Sequence, residues 1–490
     1  MASFLRRHRK KAIALGALVA TPFLLHGYVG CSTRLEPPAI DERRIEAKSE
    51  GGVTRAGPSW ATKRGVRIAH LAGAPEEIGA AHATLLREPM IENERIMWDG
   101  FRTFVSNAVA RTLLFDIGRY RYRHVEQGIP EARRREIAAQ ARAFVPDPFA
   151  DHMPTYTRMI FLHSLYDIAI GFEHSPLLGC TGFGLGPETT KDGHALFARA
   201  FDFEAAEVFD REKAVLVIRE QGKIPILSVA WPGLSGVLTG MNAEGVAVAV
   251  NGGRARDPKA VGIPVPIALR EVLAVAHDTR EAVELLKKQD VMISHLVFVG
   301  DAKGSFAVVE RAPGEAAFVR ESGVSGRLAV TNHFDGPLGK DPKDAHVRAT
   351  TSSLARRARA EELVGSVAAG SATPASAIGL LRDHGCSGGE SGSCPLGDRR
   401  AIDALIATHG VVFDLTARHA WVSEGPHLSG RFVKIDLGAI VKEEMGVVPP
   451  AELETIAPDV IMSDGRYEEG RKRAGGPLMG PGAMPVGGQP

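Results

Sequence analysis

The stretch "GCTGFGLGPETTKDGHALFARAFDFE" sets a lone cysteine, Cys180, about twenty residues ahead of an Arg-Ala-Phe-Asp run from Arg199 to Asp202. A buried cysteine is often just a small hydrophobe. To act as a nucleophile it needs a base for its proton, donors for the oxyanion and groups that orient both. A histidine partner is one solution, with His194, His295, His333 and His384 as candidates, but "LLGCTGFG" lacks the residues that mark a cysteine-protease nucleophile. The chain can also supply the base itself. If the Gly179-Cys180 bond is cut, the freed α-amine lies a few ångströms from its own thiol, with a pKa of about 8 that suits proton shuttling. Everything ahead of Cys180 is then a pro-segment.

The other three cysteines have separate readings. Cys31 follows an apolar run of fourteen residues, Ala12 to Leu25, that is preceded by Arg6, Arg7, Arg9, Lys10 and Lys11. This is the layout of an export signal, and the run is shorter than the roughly 20 residues of a spanning helix. Gly30-Cys31 resembles a bacterial lipoprotein box, although Tyr28 stands where such boxes usually carry Leu, so lipidation, ordinary cleavage and an uncleaved anchor are all open. Each puts the body of the protein in the cell envelope, outside the cytoplasm. In an oxidising compartment Cys386 and Cys394, flanking "SGGESGS", are expected to close a small disulfide loop, two free thiols being the other reading. Only His384 lies near that pair, too few ligands for a tetrahedral metal site.

Composition excludes other classes. The 490 residues carry 59 Lys and Arg against 58 Asp and Glu, so no global charge draws the chain to nucleic acid. "GLGPETTKDG" lacks the ending and spacing of a P-loop, and no glycine loop joins a strand to a helix as nucleotide binding requires. Neither a cofactor nor a metal is expected.

The elements that must position Cys180 follow from the pattern. "PEEIGAAHATLLREPMI" has helical spacing with acids in its first turn, and helical text continues to about Asp167, which makes the first third mainly α. From Gly179 short β-like runs dominate, among them "AVLVIRE", "GVAVAVN", "HLVFVGD", "RLAVTNHF" and "GVVFDL", with helical patterns between. Strands in hairpin-like succession predict an α+β fold of antiparallel sheets covered by helices. The expected divisions are a signal at 1–31, a linker at 32–60, a helical pro-segment at 61–179, a catalytic core at 180–445 and a largely disordered tail at 446–490.

Several separated stretches, "GAPEEIGAAHATLLRE", "GCTGFG", "ARAFDFE", "GMNAEGVAVAVNGG", "VTNHF", "SSLARRARAEEL", "LLRDHG" and "VVFDLTARHAWVSEGP", occur in an order that resembles one family. It is the acyl-coenzyme A:6-aminopenicillanate (isopenicillin N) acyltransferase family of N-terminal-nucleophile (Ntn) hydrolases, related to choloylglycine hydrolase and penicillin V acylase. The resemblance implies a four-layer αββα sandwich, self-cleavage between Gly179 and Cys180, and attack by the Cys180 thiolate on the carbonyl of a linear amide or a thioester. It also implies that the pro-segment stays as a non-covalent subunit. Arg199 and Asp202 match the pair flanking the nucleophile: Asp202 would hold the α-amine and Arg199 would favour the thiolate. Asn251 and Asn332 match two asparagines suited to an oxyanion, Asn332 the stronger and Asn251 open to being a turn residue before Gly252-Gly253. Arg356 is the best match to a distal arginine, with Arg357 and Arg359 crowding it.

The implied function is hydrolysis or transfer of the acyl group of a small-molecule amide through a Cys180 thioester. Two other readings stand beside it: a Cys/His hydrolase without self-cleavage, and an inactive envelope lipoprotein that serves as a binding module.

Overall fold

Runs of Val, Ile, Phe and Ala bounded by turns form the strands, because branched and aromatic side chains suit a pleated, buried surface. The computed structural model describes residues 20–41, 45–171, 179–203, 207–387 and 394–475, and arranges their strands in two sheets. The larger has eleven strands, from Lys48–Glu50 at one edge to Phe318–Glu321 at the other. The smaller has seven, from Arg327–Val330 to Thr455–Ile456. Neighbouring strands are antiparallel except for one pair, Val66–Gly73 alongside Ala214–Glu220.

The two sheets pack face to face. Phe197 of the smaller sheet stacks on Phe298 of the larger with ring centroids 4.2 Å apart, and Phe306 adjoins it. Gly182 and Gly184 make this approach possible: a Cβ on Gly184 would lie 2.6 Å from the Phe306 ring, and one on Gly182 3.2 Å from Phe298. Helices cover both outer faces. Ile78, Leu86, Ile137 and Ile160 pack toward Leu216 and Val248 of the larger sheet, while Ala360, Val364, Ile378 and Leu381 pack toward Phe183 and Ala198 of the smaller. The result is the expected αββα sandwich of the α+β class. Each fully buried side chain of this size contributes about 1.5–3 kcal/mol.

The N-terminal third is tied into this core. Helix Pro75–Phe104 starts with proline in its first turn, and Glu77 reaches back to the Ala74 N–H at 2.9 Å. It bends at Leu86, three residues before Pro89, whose ring cannot sit over an unbroken turn. Helix Glu131–Ala143 contributes Arg133 and Glu136 to a buried ion network with Glu220 and Arg270; Arg270 Nη1 lies 2.6 Å from Glu136 Oε1.

Three expected divisions are corrected. Residues 32–60, read as a linker, carry strands Lys48–Glu50 and Val53–Ala56 and the start of Ser59–Arg64. Gly51 and Gly52, with φ of 58° and 75°, make the two-residue hairpin turn that had suggested a linker. The 61–179 segment is not purely helical, since Val66–Gly73 is an interior strand of the larger sheet. Within 446–490, Thr455–Ile456 pairs with Phe432–Asp436 and helix Arg466–Ala474 buries Tyr467 and Ala474; an orderly segment stands where a disordered tail was expected. Residues 1–19, 388–393 and 476–490, which hold most of the expected signal, the inside of the cysteine loop and the final residues, lie outside the described residues. Among the described residues no helix is long and apolar enough to cross a membrane.

Candidate active site

Cys180 immediately precedes strand Thr181–Leu185, which runs between Arg327–Val330 and Leu196–Phe201 in the smaller sheet. Register puts Val330 and Arg199 on either side of Gly182. Asn332, two residues past the first neighbour, and Asp202, one past the second, therefore flank the cysteine. Asn251 comes from the facing sheet, inside strand Ala247–Gly252, and Arg356 from helix Ser353–Ser366 on the outer face. Five elements thus bring together all six residues singled out in the sequence, and all six are buried.

Hydrogen bonds grip the backbone of Cys180 at both ends. Its N–H donates to Asn332 Oδ1 at 2.8 Å, and its carbonyl accepts from Arg356 Nη1 at 2.6 Å and Asn251 Nδ2 at 3.4 Å. Arg356 also donates to Asn332 Oδ1 at 2.8 Å and to Thr181 Oγ1 at 2.9 Å, closing a ring around the cysteine. Arg199 donates to Asn251 Oδ1 and to the Val250 carbonyl, and stacks over Phe201. The Asp202 carbonyl accepts the Gly179 N–H at 3.1 Å.

Two placements refine the expectations. Asn332 holds the nitrogen of Cys180 through its oxygen, while its Nδ2 donates to the Gly252 carbonyl at 2.9 Å, so it orients the backbone of Cys180. Asn251 is a strand residue and not a turn, and its amide points toward Cys180 and the Thr331 carbonyl. The choice among the three arginines is settled by helix phase. Arg357 pairs with Asp335 and Glu361, and Arg359 with Asp383 and Glu362, leaving Arg356 as the one directed at Cys180.

Burial pushes the Cys180 thiol above its ordinary range; the positive charges of Arg199 and Arg356 pull it back, and Asp202 adds to the rise. The thiol is therefore protonated at neutral pH, and a base must take its proton before it can attack a carbonyl. None of the four candidate histidines makes its hydrogen bond to Cys180. His194 Nδ1 bonds Asp414, His295 the Ile293 carbonyl, His333 Ser353 Oγ and His384 the Asp403 carbonyl. Burial holds His295 down to about 3 and His333 to about 4, so both are neutral.

Ser353 and Tyr166 also stand at the cluster, and neither was singled out in the sequence. Ser353 Oγ accepts the Asn332 N–H at 2.9 Å and fixes that residue; its signal was a position on the same helix face as Arg356. Tyr166 is buried near the thiol with its hydroxyl unpartnered, and burial pushes its phenol well up. Nothing in its sequence surroundings marks it. The Cys386–Cys394 pair is joined, with Cα atoms 5.5 Å apart, and Cys31 is exposed. Asp192, His194 and Asp414 bring three ligand-type atoms together, but they sit at the opposite end of strand Leu196–Phe201 from Cys180 and are bonded among themselves.

Comparison with known proteins adds four findings. An uncharacterized protein of Archaeoglobus fulgidus is 26% identical over 270 residues, 49% of this chain and 42% of that protein, so the chain spans less than half the length of this relative. Among solved structures, an N-acylethanolamine-hydrolyzing acid amidase ortholog of Caenorhabditis elegans aligns at 18% identity and TM-score 0.32, over 48% of this chain and 93% of its own. Penicillin V acylase of Agrobacterium tumefaciens aligns at 16% and 0.38, over 55% and 88%. The family model of acyl-coenzyme A:6-aminopenicillanic acid acyl-transferase matches residues 189–388, a span that holds Arg199, Asp202, Asn251, Asn332 and Arg356 and begins just after Cys180. Over that span the chain carries the pattern of the acyl-coenzyme A:6-aminopenicillanic acid acyl-transferase family, the same family that its scattered motifs resemble.

Proposed function

We propose that the protein is a self-processing cysteine Ntn hydrolase of the cell envelope that cleaves, or transfers the acyl group of, linear amides. The observation that carries this reading is the double grip on Cys180: Asn332 on its nitrogen and Arg356 on its carbonyl oxygen. A merely structural cysteine has no need of two buried polar side chains aimed at its backbone.

In the first step the Cys180 sulfur attacks the Gly179 carbonyl carbon. The peptide C–N bond breaks, its nitrogen takes the thiol proton, and a thioester joins Gly179 to Cys180. Water then hydrolyses the thioester, leaving a Gly179 carboxylate, the free thiol and a free α-amine on Cys180. In turnover that amine takes the thiol proton, the sulfur attacks the substrate carbonyl, and the departing amine leaves with a proton returned to it. Asn251 Nδ2 is placed to donate to the tetrahedral oxygen, Arg199 orients Asn251, and Asn332 together with Asp202 holds the α-amine. Water resolves the acyl-enzyme; hydrolysis is favoured over transfer because an exported enzyme would rarely meet acyl-coenzyme A.

The pro-segment remains bound after such a cut. Val66–Gly73 lies between Ser59–Arg64 and Ala214–Glu220 within the sheet, and Arg133 and Glu136 share buried ion pairs with Glu220 and Arg270. Its departure would tear the sheet and strand buried charges.

A denaturing gel tests the reading. The purified protein should run as two bands and the Cys180→Ala variant as one inactive band. A single active band from the unaltered chain would point to the Cys/His alternative, and a single inactive one to the binding module.

A further inference from the structure

Helix Ala108–Arg121 turns its apolar side chains outward. Val109 and Ile117 are 68% and 62% exposed, and Leu113 and Tyr120 are exposed beside them. Their spacing of three and four puts all four on one face. The inward face carries polar groups: Asp116 Oδ2 meets His26 Nδ1 at 2.8 Å, and Arg119 Nη2 donates to the Gly30 carbonyl at 3.5 Å. These partners belong to the helical segment 20–32, on which Phe23 and Leu24 are 75% and 73% exposed. Two helices fastened to each other by polar contacts therefore both show bare apolar side chains, which soluble surfaces seldom do over a contiguous area.

The chain and the charges indicate what covers this face. The apolar run Ala12–Leu25 leads directly into the segment 20–32, behind the basic residues Arg6 to Lys11. At the C-terminal end of the apolar face Arg121 and Arg123 bond to the backbone carbonyls of Pro258 and Tyr120. A second copy would bring this basic rim against itself. Lipid phosphates complement it.

We propose that the outward face of Ala108–Arg121, continuous with Phe23 and Leu24, lies on an anionic phospholipid bilayer, its apolar side chains at the acyl boundary and its arginines among the headgroups. None of these residues belongs to the Cys180 cluster, so the surface stands whether or not the proposed catalysis does.

The test uses the full chain and vesicles of phosphatidylglycerol and phosphatidylethanolamine. Leu113→Asp/Ile117→Asp should weaken vesicle binding by about tenfold or more, as expected when an interfacial helix loses two apolar contacts. Because the N-terminal apolar run can hold the chain to vesicles by itself, the deciding readout is local: Ile117→Trp should add emission that brominated acyl chains quench beyond the quenching of the four native tryptophans. Emission unaffected by brominated chains would overturn the proposal. So would a dimer in lipid-free buffer that Leu113→Asp/Ile117→Asp dissociates, which would assign the face to a second copy.

Discussion

The guanidinium of Arg356 lies 2.6 Å from the carbonyl oxygen of Cys180. It also reaches Asn332 and Thr181, three acceptors that only a planar fork of donors can serve together. Arg356→Lys keeps the charge but loses the fork, and should slow both self-cleavage and turnover while leaving a folded protein. Arg356→Ala leaves buried acceptors unpaired and should cost roughly 1–3 kcal/mol of stability, read from urea unfolding.

Asn251 Nδ2 donates to the Cys180 carbonyl at 3.4 Å, and in the proposed turnover it donates to the developing oxyanion. Asn251→Ala should lower kcat by about 10²–10³ with little change in KM, the mark of a contact made mainly in the transition state. Equal activity in the variant would remove Asn251 from the mechanism.

Stability should peak between two pH limits. Burial holds His82 down to about 3 and His163 to about 4. Unfolded histidine takes a proton at about 6.5, so the stability tied to these neutral rings is whole above that pH and is lost as pH falls toward 4. Asp167 runs the other way: burial raises it to about 8. Its contribution is whole below the ordinary aspartate value of about 3.9 and is lost as pH rises through 8. Asp167→Asn keeps an oxygen for the Val265 N–H and should flatten the decline in urea midpoints from about pH 6.5 to 8, and steepen the fall from 6.5 toward 4, where the Asp167 contribution opposes that of the histidines.

The contact between sheets should tolerate no side chain at Gly184. A Cβ there meets the Phe306 ring at 2.6 Å, so Gly184→Val should destabilise by about 1–3 kcal/mol or more from overpacking. The companion Phe306→Ala should partly relieve it, which a double-mutant cycle would detect.

Strands were legible where the text is locally apolar: "AVLVIRE" and "GVAVAVN" form Ala214–Glu220 and Ala247–Gly252. Val66–Gly73 was not, because His70 and Arg67 interrupt its apolar pattern and its parallel partner lies far along the chain. Asn251 matched a site asparagine but stayed open to being a turn residue, because two glycines follow it. Gly253 serves close packing instead, since a Cβ there would meet the Phe334 ring. Arg356 could be told from Arg357 and Arg359 only by the helix face it shares with Ser353, Ala360 and Val364. The sequence carries that spacing, but not which face meets the sheet.

The most direct measurement is the N-terminal residue of the larger fragment of the purified protein, by Edman degradation or intact mass. The account requires it to be Cys180 with a free α-amine. A chain that is active while its Gly179–Cys180 bond stays whole, or a fragment that begins elsewhere, would contradict it.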